Sequence, residues 1–245
     1  PPTDFKFLPF LSSSDTETLI ECISKWGLEK TLFKLNGMFA FALWDKKNNE
    51  LFLARDRMGE KPIYYGFIDN SFLFGSQLKS FLDFPGWNKE LDQTSLRLYF
   101  QYGYIPSPHC VYKNFYKLQP AHYLSVKKQG DFNCQSIKYW DLKEKFIIAK
   151  SSKQFTGNEA VDFIEEKIKN SVKKRMLSDV PLGAFLSGGL DSSSIVYFMQ
   201  AQSQKPINTF TIGFDNKNFD ETYKAREISK FIGTNHNEII ISRRE

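Results

Sequence analysis

The sequence predicts a chain of two parts, an α+β part built on an antiparallel sheet and then an α/β part built on a parallel sheet. Two observations predict this. Short apolar runs over residues 38–44, 51–54, 63–67 and 72–74 are separated by Asn, Asp and Gly, which is typical of an antiparallel meander. After residue 180, strand-like and helix-like segments alternate with short loops, which indicates parallel strands with helices on the sheet faces.

The segment between the two parts is polar. Residues 143–157 are rich in Lys, Ser and Gln, with one apolar island at 146–148. We interpret this segment as a linker or domain boundary. The chain is therefore divided into residues 1–145 and residues 146–245.

The composition excludes several classes of protein. Of the 245 residues, 41% are hydrophobic and 24 are Phe, which is enough to bury a core, so wholesale disorder is excluded. A net charge of +5 is too small to indicate binding to nucleic acid, and no apolar run reaches the roughly 18 residues that a membrane helix needs. Cys22, Cys110 and Cys134 have no paired spacing, which argues against a disulfide framework or a cysteine zinc site and favours a cytoplasmic setting.

Helix signals are clear in both parts. Ser14 precedes a helix and forms a predicted capping box with Glu17, in which the hydroxyl accepts an amide of the first turn and the carboxylate reaches back. Asp92 is the predicted cap of a helix over residues 94–102. The pattern of the second part predicts a helix near 161–176, then strand 180–186, helix 192–201, strand 207–212, helix 221–232 and strand 238–241.

The most informative segment runs from Leu186 to Ser194 and reads LSGGLDSSS, between a predicted strand and a predicted helix. Gly188 and Gly189 remove two Cβ atoms, so the backbone can wrap closely around an anion. Backbone amides and the helix N-terminus then point at negative charge, and the serine hydroxyls add donors. These features predict a phosphate-binding loop without the lysine of a Walker motif. The alternative is a glycine turn with a serine helix cap.

This loop resembles the SGGxDS pyrophosphate loop of the ATP pyrophosphatases. Together with residues 179–186, 210–214 and 220–221, it resembles the synthetase domain of the glutamine-hydrolysing asparagine synthetases. In the first part, residues 14–17, 35–45 and 54–65 resemble the later part of the glutaminase domain of the same family. The resemblance implies an Ntn-hydrolase-type antiparallel sheet followed by an adenine nucleotide α-hydrolase-like parallel sheet.

The resemblance implies two coupled reactions. An N-terminal cysteine hydrolyses glutamine with its own α-amine as base, and the ammonia travels inside the protein to a second site. There ATP adenylates the side-chain carboxylate of aspartate, and attack by ammonia gives asparagine, AMP and pyrophosphate. The implied partners are glutamine, aspartate and ATP with Mg²⁺, and neither nucleic acid nor membrane. The resemblance also allows a homodimer of the intact protein.

Site residues are carried over position by position. Asp15 matches the carboxylate that holds the α-ammonium of glutamine, while a helix-dipole role in the first turn is the alternative from sequence alone. Phe185 and Ile212 match two positions that contact adenine. The other positions matched to ATP and pyrophosphate are Ser187, Gly188, Gly189, Leu190, Asp191, Ser192 and Ser193. Asp191 is also the candidate Mg²⁺ ligand, since a carboxylate fits an anion site through a bridging metal ion.

Other candidate residues receive structural interpretations. None of the three cysteines is N-terminal, so no catalytic residue is expected in this chain. His236 is interpreted as a solvated loop histidine, although it matches a family histidine. Asp220 and Glu221 either help to hold Mg²⁺ or begin a helix. Ion pairs that fix the meander are expected from three charged residues, Arg55, Asp56 and Arg57.

We expect the chain to be an internal part of a longer protein. In the family, the nucleophilic cysteine and the arginine and asparagine segments that bind glutamine precede the position of Pro1, and a later SGE-type loop follows that of Glu245. The leading interpretation is an ATP-dependent, glutamine-using asparagine synthetase. The part of it that this chain represents is expected to be inactive as a glutaminase. The alternatives are an amidotransferase that acts on another acceptor, a surface-polysaccharide sugar or a lactam precursor, and an inactive nucleotide-binding remnant.

Overall fold

The computed structural model describes residues 11–12, 14–151, 155–215 and 220–242. The chain forms two compact units, one over residues 1–151 and one over residues 152–245. In the described residues the first unit has two sheets and the second has one, and each unit has its own buried core. No helix in the described part of either unit is long and apolar enough to cross a lipid bilayer.

The first unit contains both helices and short strands. In chain order its elements are α1 (Asp15–Trp26), α2 (Leu28–Lys34), β1 (Ala40–Asp45), β2 (Glu50–Arg55), β3 (Tyr64–Ile68), β4 (Ser71–Gly75), a 3₁₀ helix (Leu78–Phe81), α3 (Gln93–Tyr102), β5 (Phe115–Lys117), β6 (His122–Gln129), β7 (Asp131–Lys138) and α4 (Leu142–Lys150).

The strands of the first unit form two antiparallel sheets, so the prediction of a single meander is wrong. One sheet has the order β1-β2-β6-β7 and the other the order β4-β3-β5. The chain leaves the first sheet after Arg55, because the next residues turn around the carboxylate of Asp56, which accepts the backbone amides of Met58, Glu60 and Lys61. The hairpin of β3 and β4 therefore begins a second sheet.

Three strands of this unit have no counterpart among the predicted elements. Strand β6 lies inside the first sheet and buries Tyr123, Leu124 and Val126, whereas β7 is an edge strand whose residues are mostly exposed. The polar residues that an edge strand presents to water obscure its apolar pattern. Strand β5 has only three residues, Phe115–Lys117, which is too short for a periodic signal.

The first sheet is covered on both faces. Leu53 and Leu124, on neighbouring strands, are buried on the face that packs against the second sheet through Ile63 and Tyr65. On the other face, Ala54 contacts α2 through Leu32. This arrangement gives a layer of helices, a sheet and a second sheet. Burial of a leucine side chain of this kind contributes roughly 1.5–3 kcal/mol.

The start of α1 confirms half of the predicted capping box. The hydroxyl of Ser14 accepts the amide of Thr16 at 3.2 Å. The carboxylate of Glu17 does not return to the Ser14 amide but accepts the amides of Leu11 and Ser12, each at 2.7 Å. A hydrogen bond from the Ser12 hydroxyl, followed by the Leu11 amide, holds the pKa of Glu17 below its ordinary value.

The polar segment after β7 includes a helix that the sequence does not predict. Asp141 caps α4 by accepting the amides of Lys143 and Glu144 at 2.7 and 3.4 Å. No residue of α4 is buried. This helix spans the position, between residues 145 and 146, at which the sequence places the domain boundary.

The second unit confirms the predicted alternation of helices and parallel strands. Its elements are α5 (Gly157–Arg175), β8 (Gly183–Phe185), α6 (Leu190–Gln200), β9 (Asn208–Phe214), α7 (Thr222–Ile232) and β10 (Asn235–Ile241). The strands are parallel and have the order β10-β9-β8. Strand β8 is shorter than predicted. Pro181, which has no amide to donate, lies within the predicted strand and outside the observed one.

The core of the second unit lies between the helices and one face of this sheet. Val172, Leu186 and Val196 are buried there, on α5, after β8 and on α6. Along β9 the pattern alternates, so Thr209 and Thr211 face the covered side and the intervening side chains are exposed. The glycine loop, residues 187–193, follows the carboxyl end of β8, and residues 220–221 follow that of β9 along the chain.

The cap of α3 provides a test of the local structure. Asp92 accepts the Ser95 amide at 2.7 Å and the Ser95 hydroxyl at 2.6 Å, and these bonds, the hydroxyl first, hold the pKa of Asp92 below its ordinary value. We expect Asp92→Ala to lower the free energy of unfolding by about 1 kcal/mol at neutral pH, and Asp92→Asn to retain most of it because Asn is also a good cap.

Urea unfolding at two pH values measures this. Because the folded pKa of Asp92 is lowered, its contribution is present above the unfolded pKa of about 3.9 and is lost as the pH falls through the folded value. The difference between the wild type and Asp92→Ala should therefore shrink in acid. Equal stability of the two proteins at neutral pH would contradict the capping role.

Candidate functional site

A cleft in the first unit lies beside the start of α1. Its volume is about 660 Å³, and it is lined by Asp15, Thr16 and Leu19, by residues 35–41, by Lys61 and Pro62, and by Ser76. Asp15 is in the first turn of α1 and its side chain is exposed. The structure thus places Asp15 on a cleft beside the antiparallel sheet, and Lys61 brings a positive charge to the same cleft. A carboxylate and an ammonium together suit an amino acid, which carries both charges.

The buried residue behind this cleft is Asp56, which sequence reasoning did not assign to a site. It is 1% exposed, and its carboxylate accepts the amides of Phe39, Met58, Glu60 and Lys61 at 2.9–3.3 Å. A signal was present in the sequence, because an aspartate that is followed closely by a glycine commonly organises a turn.

The ion pairs expected of Arg55, Asp56 and Arg57 are wrong in detail, because in the described part of the chain these side chains bond mainly to the backbone, with one further bond from Arg55 to the hydroxyl of Ser107 at 3.4 Å. Arg55 donates to the carbonyls of Gly59, Lys61 and Leu118 at 2.6–2.8 Å. Arg57 donates to the carbonyl of Phe33 at 2.6 Å. Burial lowers the pKa of Arg55, although the nearby charge of Asp56 acts in the opposite direction.

The three cysteines are placed as structural residues. Cys22 and Cys110 are buried and Cys134 is partly buried on β7. Burial raises the pKa of each thiol, so each is protonated at neutral pH. A protonated thiol is a poor nucleophile.

The glycine loop of the second unit joins β8 to α6, as predicted. Gly188 has φ 77°, in the left-handed region that favours glycine. A Cβ at this position would lie 2.7 Å from the Cβ of Lys224 and 3.1 Å from the amide nitrogen of Ala225, both on α7. Gly188 is therefore required by packing against α7 as well as by the turn.

The N-terminus of α6 is open. In the part of the chain that the structure describes, no side chain caps this helix at Gly189. The amides of Leu190, Asp191 and Ser192 have no partner within the helix, since the first turn of any helix leaves them free. These donors and the positive end of the helix dipole form an anion site at the carboxyl end of β8.

The serine hydroxyls hold the loop in shape. Ser192 Oγ accepts the amide of Ser187 at 3.2 Å and lies 2.9 Å from Ser187 Oγ. The hydroxyls of Ser193 and Ser194 donate to the carbonyls of Gly189 and Leu190, one turn earlier. These hydroxyls are therefore bonded within the loop and are not free donors. To donate to a bound anion, they would have to rotate away from their present acceptors.

Phe185 and Ile212 lie on one face of the parallel sheet. Phe185 pairs with Phe210 across β8 and β9, and Ile212 is two residues further along β9, so the three side chains share a face. Phe185 is 77% exposed and Ile212 is 46% exposed. An apolar surface thus adjoins the glycine loop, where a planar ring can pack.

Asp191 is the acidic residue of the loop and lies exposed in the first turn of α6. Within the described residues, no group of three or more His, Cys, Asp and Glu side chains comes together as a metal site. One carboxylate is nevertheless enough for Mg²⁺, which usually keeps several waters and takes its other ligands from phosphate oxygens. Asp220 instead accepts the amide and hydroxyl of Thr222 at the start of α7, which is the helix-initiating role.

The interpretation of His236 as a solvated loop residue is wrong. His236 is on β10, its side chain is 10% exposed, and its Nδ1 lies 2.9 Å from the hydroxyl of Thr209. Its Nε2 faces Glu238 at 3.3 Å. Side chains alternate between the two sheet faces along β10, and His236 lies on the covered face. The predicted strand, 238–241, does not include residue 236, so this burial is not predicted from the sequence.

Two further residues support the loop and were not predicted. The hydroxyl of Thr211 donates to the carbonyl of Leu186, immediately before the loop, and the Leu186 amide donates to Phe210 at 2.9 Å. Lys224 packs its Cβ against Gly188. Neither contact could be predicted from the sequence, since each joins elements that are distant along the chain.

The two glycines of the loop form a matched pair for a test. We expect Gly188→Ala to lower the free energy of unfolding of the second unit by about 1–2 kcal/mol from its positive φ alone, and by more because its Cβ would collide with α7. Gly189→Ala should be tolerated, because Gly189 has φ −79° and a Cβ there meets only Ser187 Oγ at 3.4 Å. Urea unfolding of both variants measures this, and equal losses would contradict the packing role of Gly188.

Comparison with known proteins finds a family match in each of the two units. A family model described as "Glutamine amidotransferase domain" matches residues 5–140, and one described as "Asparagine synthase" matches residues 164–245. The first match covers more than half of the chain and includes the cleft that Asp15 lines. The second includes the glycine loop.

Individual relatives align along nearly the whole chain. A protein of Methanocaldococcus jannaschii with the name "Putative asparagine synthetase (glutamine-hydrolyzing) 2" is 37% identical over 243 residues, which are 96% of this chain and 44% of the relative. Asparagine synthetase (glutamine-hydrolyzing) 3 of Bacillus subtilis is 32% identical, over 96% of this chain and 39% of the relative. Amidase chry2 of Gibberella zeae is 32% identical, over 91% of this chain and 34% of the relative.

This chain spans less than half of the length of the relatives that it matches. Over that span the glutamine amidotransferase match precedes the asparagine synthase match. The chain therefore belongs to the family of the glutamine-hydrolysing asparagine synthetases.

Proposed function

We propose that this chain is part of an enzyme that uses ATP to convert aspartate to asparagine with ammonia derived from glutamine. The reaction passes through an acyl-adenylate and releases AMP and pyrophosphate. The observation that supports this most strongly is the turn from β8 to α6, in which Gly188 packs against α7 and the amides at the start of α6 remain open. The family membership supplies the second support.

Pyrophosphate is the group that this turn would hold. The amides of Leu190, Asp191 and Ser192 carry fixed partial positive charge, which stabilises a phosphate leaving group without any movement of the backbone. Ser187, Ser192 and Ser193 would rotate their hydroxyls from their present acceptors toward phosphate oxygens. Gly188 and Gly189 allow the close approach of the ligand. Mg²⁺, held through Asp191, would neutralise phosphate charge.

The adenine ring would pack on the open sheet face. Phe185 and Ile212 offer the exposed apolar surface there, next to the phosphate loop. Binding of a nucleotide at the carboxyl ends of parallel strands is the general arrangement in α/β sheets. Both residues would therefore contribute shape and burial and take no part in bond making.

Glutamine would bind in the cleft of the first unit. Asp15 would accept the α-ammonium group, and Lys61 is available to the α-carboxylate on the same cleft. The nucleophilic cysteine of the reaction is not one of Cys22, Cys110 and Cys134, because all three are placed and protonated as structural thiols.

An amidotransferase that acts on another acceptor acid is the second candidate. A relative named Amidase chry2 is 32% identical to this chain, the same identity as asparagine synthetases 1 and 3 of Bacillus subtilis. The two sites proposed here, for ammonia supply and for ATP, serve either acceptor. An enzyme assay with aspartate as the sole acceptor separates the two candidates by the appearance of asparagine.

Several broader features belong to the same proposal. The first sheet would be part of an Ntn-hydrolase-type glutaminase domain over residues 1–145, and residues 146–245 would begin the ATP-binding synthetase domain. The enzyme would work in the cytoplasm, and the intact protein would form a homodimer.

The role of Asp191 predicts a metal-dependent effect on ATP binding. We expect the chain to bind ATP in the presence of Mg²⁺ and Asp191→Asn to weaken that binding about tenfold, or about 1.4 kcal/mol, because its carboxylate acts through the metal. In EDTA the two proteins should bind ATP equally. Asp179→Asn, which removes the same charge from outside the loop, is the control.

Isothermal titration calorimetry measures these affinities. Equal affinity of the wild type and Asp191→Asn for ATP in Mg²⁺ would show that Asp191 has no role through the metal. An equal loss in Asp179→Asn would attribute the effect to net charge alone.

The state of the cysteines predicts the outcome of a glutaminase assay. We expect this chain to release no glutamate from glutamine, because burial keeps Cys22, Cys110 and Cys134 protonated, and a protonated thiol is a poor nucleophile. A coupled assay for glutamate measures this. Glutamate release that a Cys22→Ala change abolishes, in a variant with wild-type circular dichroism, would overturn the structural assignment of the cysteines.

A further inference from the structure

The two carboxylate oxygens of Asp56 hold different parts of the chain. Oδ1 accepts the amides of Met58 and Glu60 at 3.1 and 2.9 Å, within the turn that follows Asp56. Oδ2 accepts the amide of Lys61 at 2.9 Å and that of Phe39 at 3.3 Å. One oxygen thus shapes the turn, and the other joins the end of the turn to the segment before β1.

Phe39 and Lys61 both line the Asp15 cleft, on different parts of its wall. The backbone reinforces the same junction, since the Asp56 amide donates to the Phe39 carbonyl at 2.9 Å. Arg55 donates to the carbonyl of Lys61 at 2.8 Å. Lys61 is therefore fixed through both its amide and its carbonyl by two buried neighbours.

We infer that Asp56 is a positioning residue of the glutamine cleft, which sets the separation of the Phe39 wall and the Lys61 wall without touching the ligand. The inference rests on the proposed function, because it takes this cleft as the site of glutamine. A carboxylate suits the task. It offers only acceptors, about four lone-pair sites in all, and four amide donors converge on it.

An Asp56→Asn change keeps the shape of the side chain and removes this match. Asn replaces one carboxylate oxygen with an NH₂ group, which is itself a donor and would face two amide N–H groups. If the remaining oxygen serves Met58 and Glu60, then Phe39 and Lys61 lose their acceptor. A buried amide without an acceptor opens more easily, so the two walls of the cleft separate more often.

The test compares Asp56→Asn with two matched controls. Val126→Ala removes core volume from β6, where Val126 is 4% exposed and does not line the cleft. It lowers global stability without touching the cleft. Asp45→Asn removes the same charge from a carboxylate that accepts the amides of Lys47 and Asn48 in the turn between β1 and β2.

Two measurements are made on the ¹⁵N-labelled chain, at a temperature at which all variants are folded by circular dichroism. In native-state hydrogen exchange, the amides of Phe39 and Lys61 should exchange about tenfold faster in Asp56→Asn, beyond any change in the rest of the unit. In an NMR titration with L-glutamine, Asp56→Asn should weaken binding about tenfold, and Val126→Ala and Asp45→Asn should leave it unchanged.

The outcomes separate the inference from the proposal beneath it. Wild-type exchange at Phe39 and Lys61 in Asp56→Asn, or an equal loss of glutamine affinity in Val126→Ala, would overturn the positioning role. Faster exchange at the two amides in Asp56→Asn, with no glutamine binding by the wild type, would support Asp56 as the residue that holds the walls and overturn the glutamine site.

Discussion

The close approach of Gly188 to helix α7 is the constraint on which the second unit depends. A side chain at this position would meet the Cβ of Lys224 at 2.7 Å, so β8 can turn into α6 against α7 only through a glycine. The turn directs the first amides of α6 to the carboxyl end of β8. It also places Asp191 in the first helical turn, where a metal ion and phosphate can share it. In the proposed chemistry these amides stabilise the negative charge of the pyrophosphate leaving group. They do so without rearrangement, because the turn already fixes their direction.

The glutaminase-like unit meets the same requirement with a buried carboxylate. Asp56 gathers four amides and Arg55 fixes the carbonyls around them, so the turn after β2 is bound from both sides. The turn carries Lys61 to the cleft that Asp15 lines. In both units, residues outside the proposed ligand contacts hold the backbone that would contact a ligand. They are Asp56 in the first unit, and Thr211 and Lys224 in the second.

The elements that could be predicted from the sequence are those with a local cause. The glycine loop, the cap of α3 and the alternation of the second unit each depend on residues that are adjacent in the chain. The division of the first unit into two sheets depends on which strand β2 pairs with, a contact to β6 that lies far along the chain. His236 was misjudged for a similar reason, since its burial follows from the pairing of β10 with β9. The bonds of Asp56 to Phe39 and of Thr211 to Leu186 likewise join distant residues.

We propose that this one chain carries two separate ligand sites, one in each unit. Amide chemical shifts of the ¹⁵N-labelled chain, recorded during separate additions of Mg²⁺-ATP and L-glutamine, test it most directly. We expect ATP to shift the amides of residues 187–193 and to leave those of the first unit in place. We expect glutamine to shift the amides near Asp15 and those of residues 36–41. Shifts by ATP outside the glycine loop, with residues 187–193 unchanged, would contradict it.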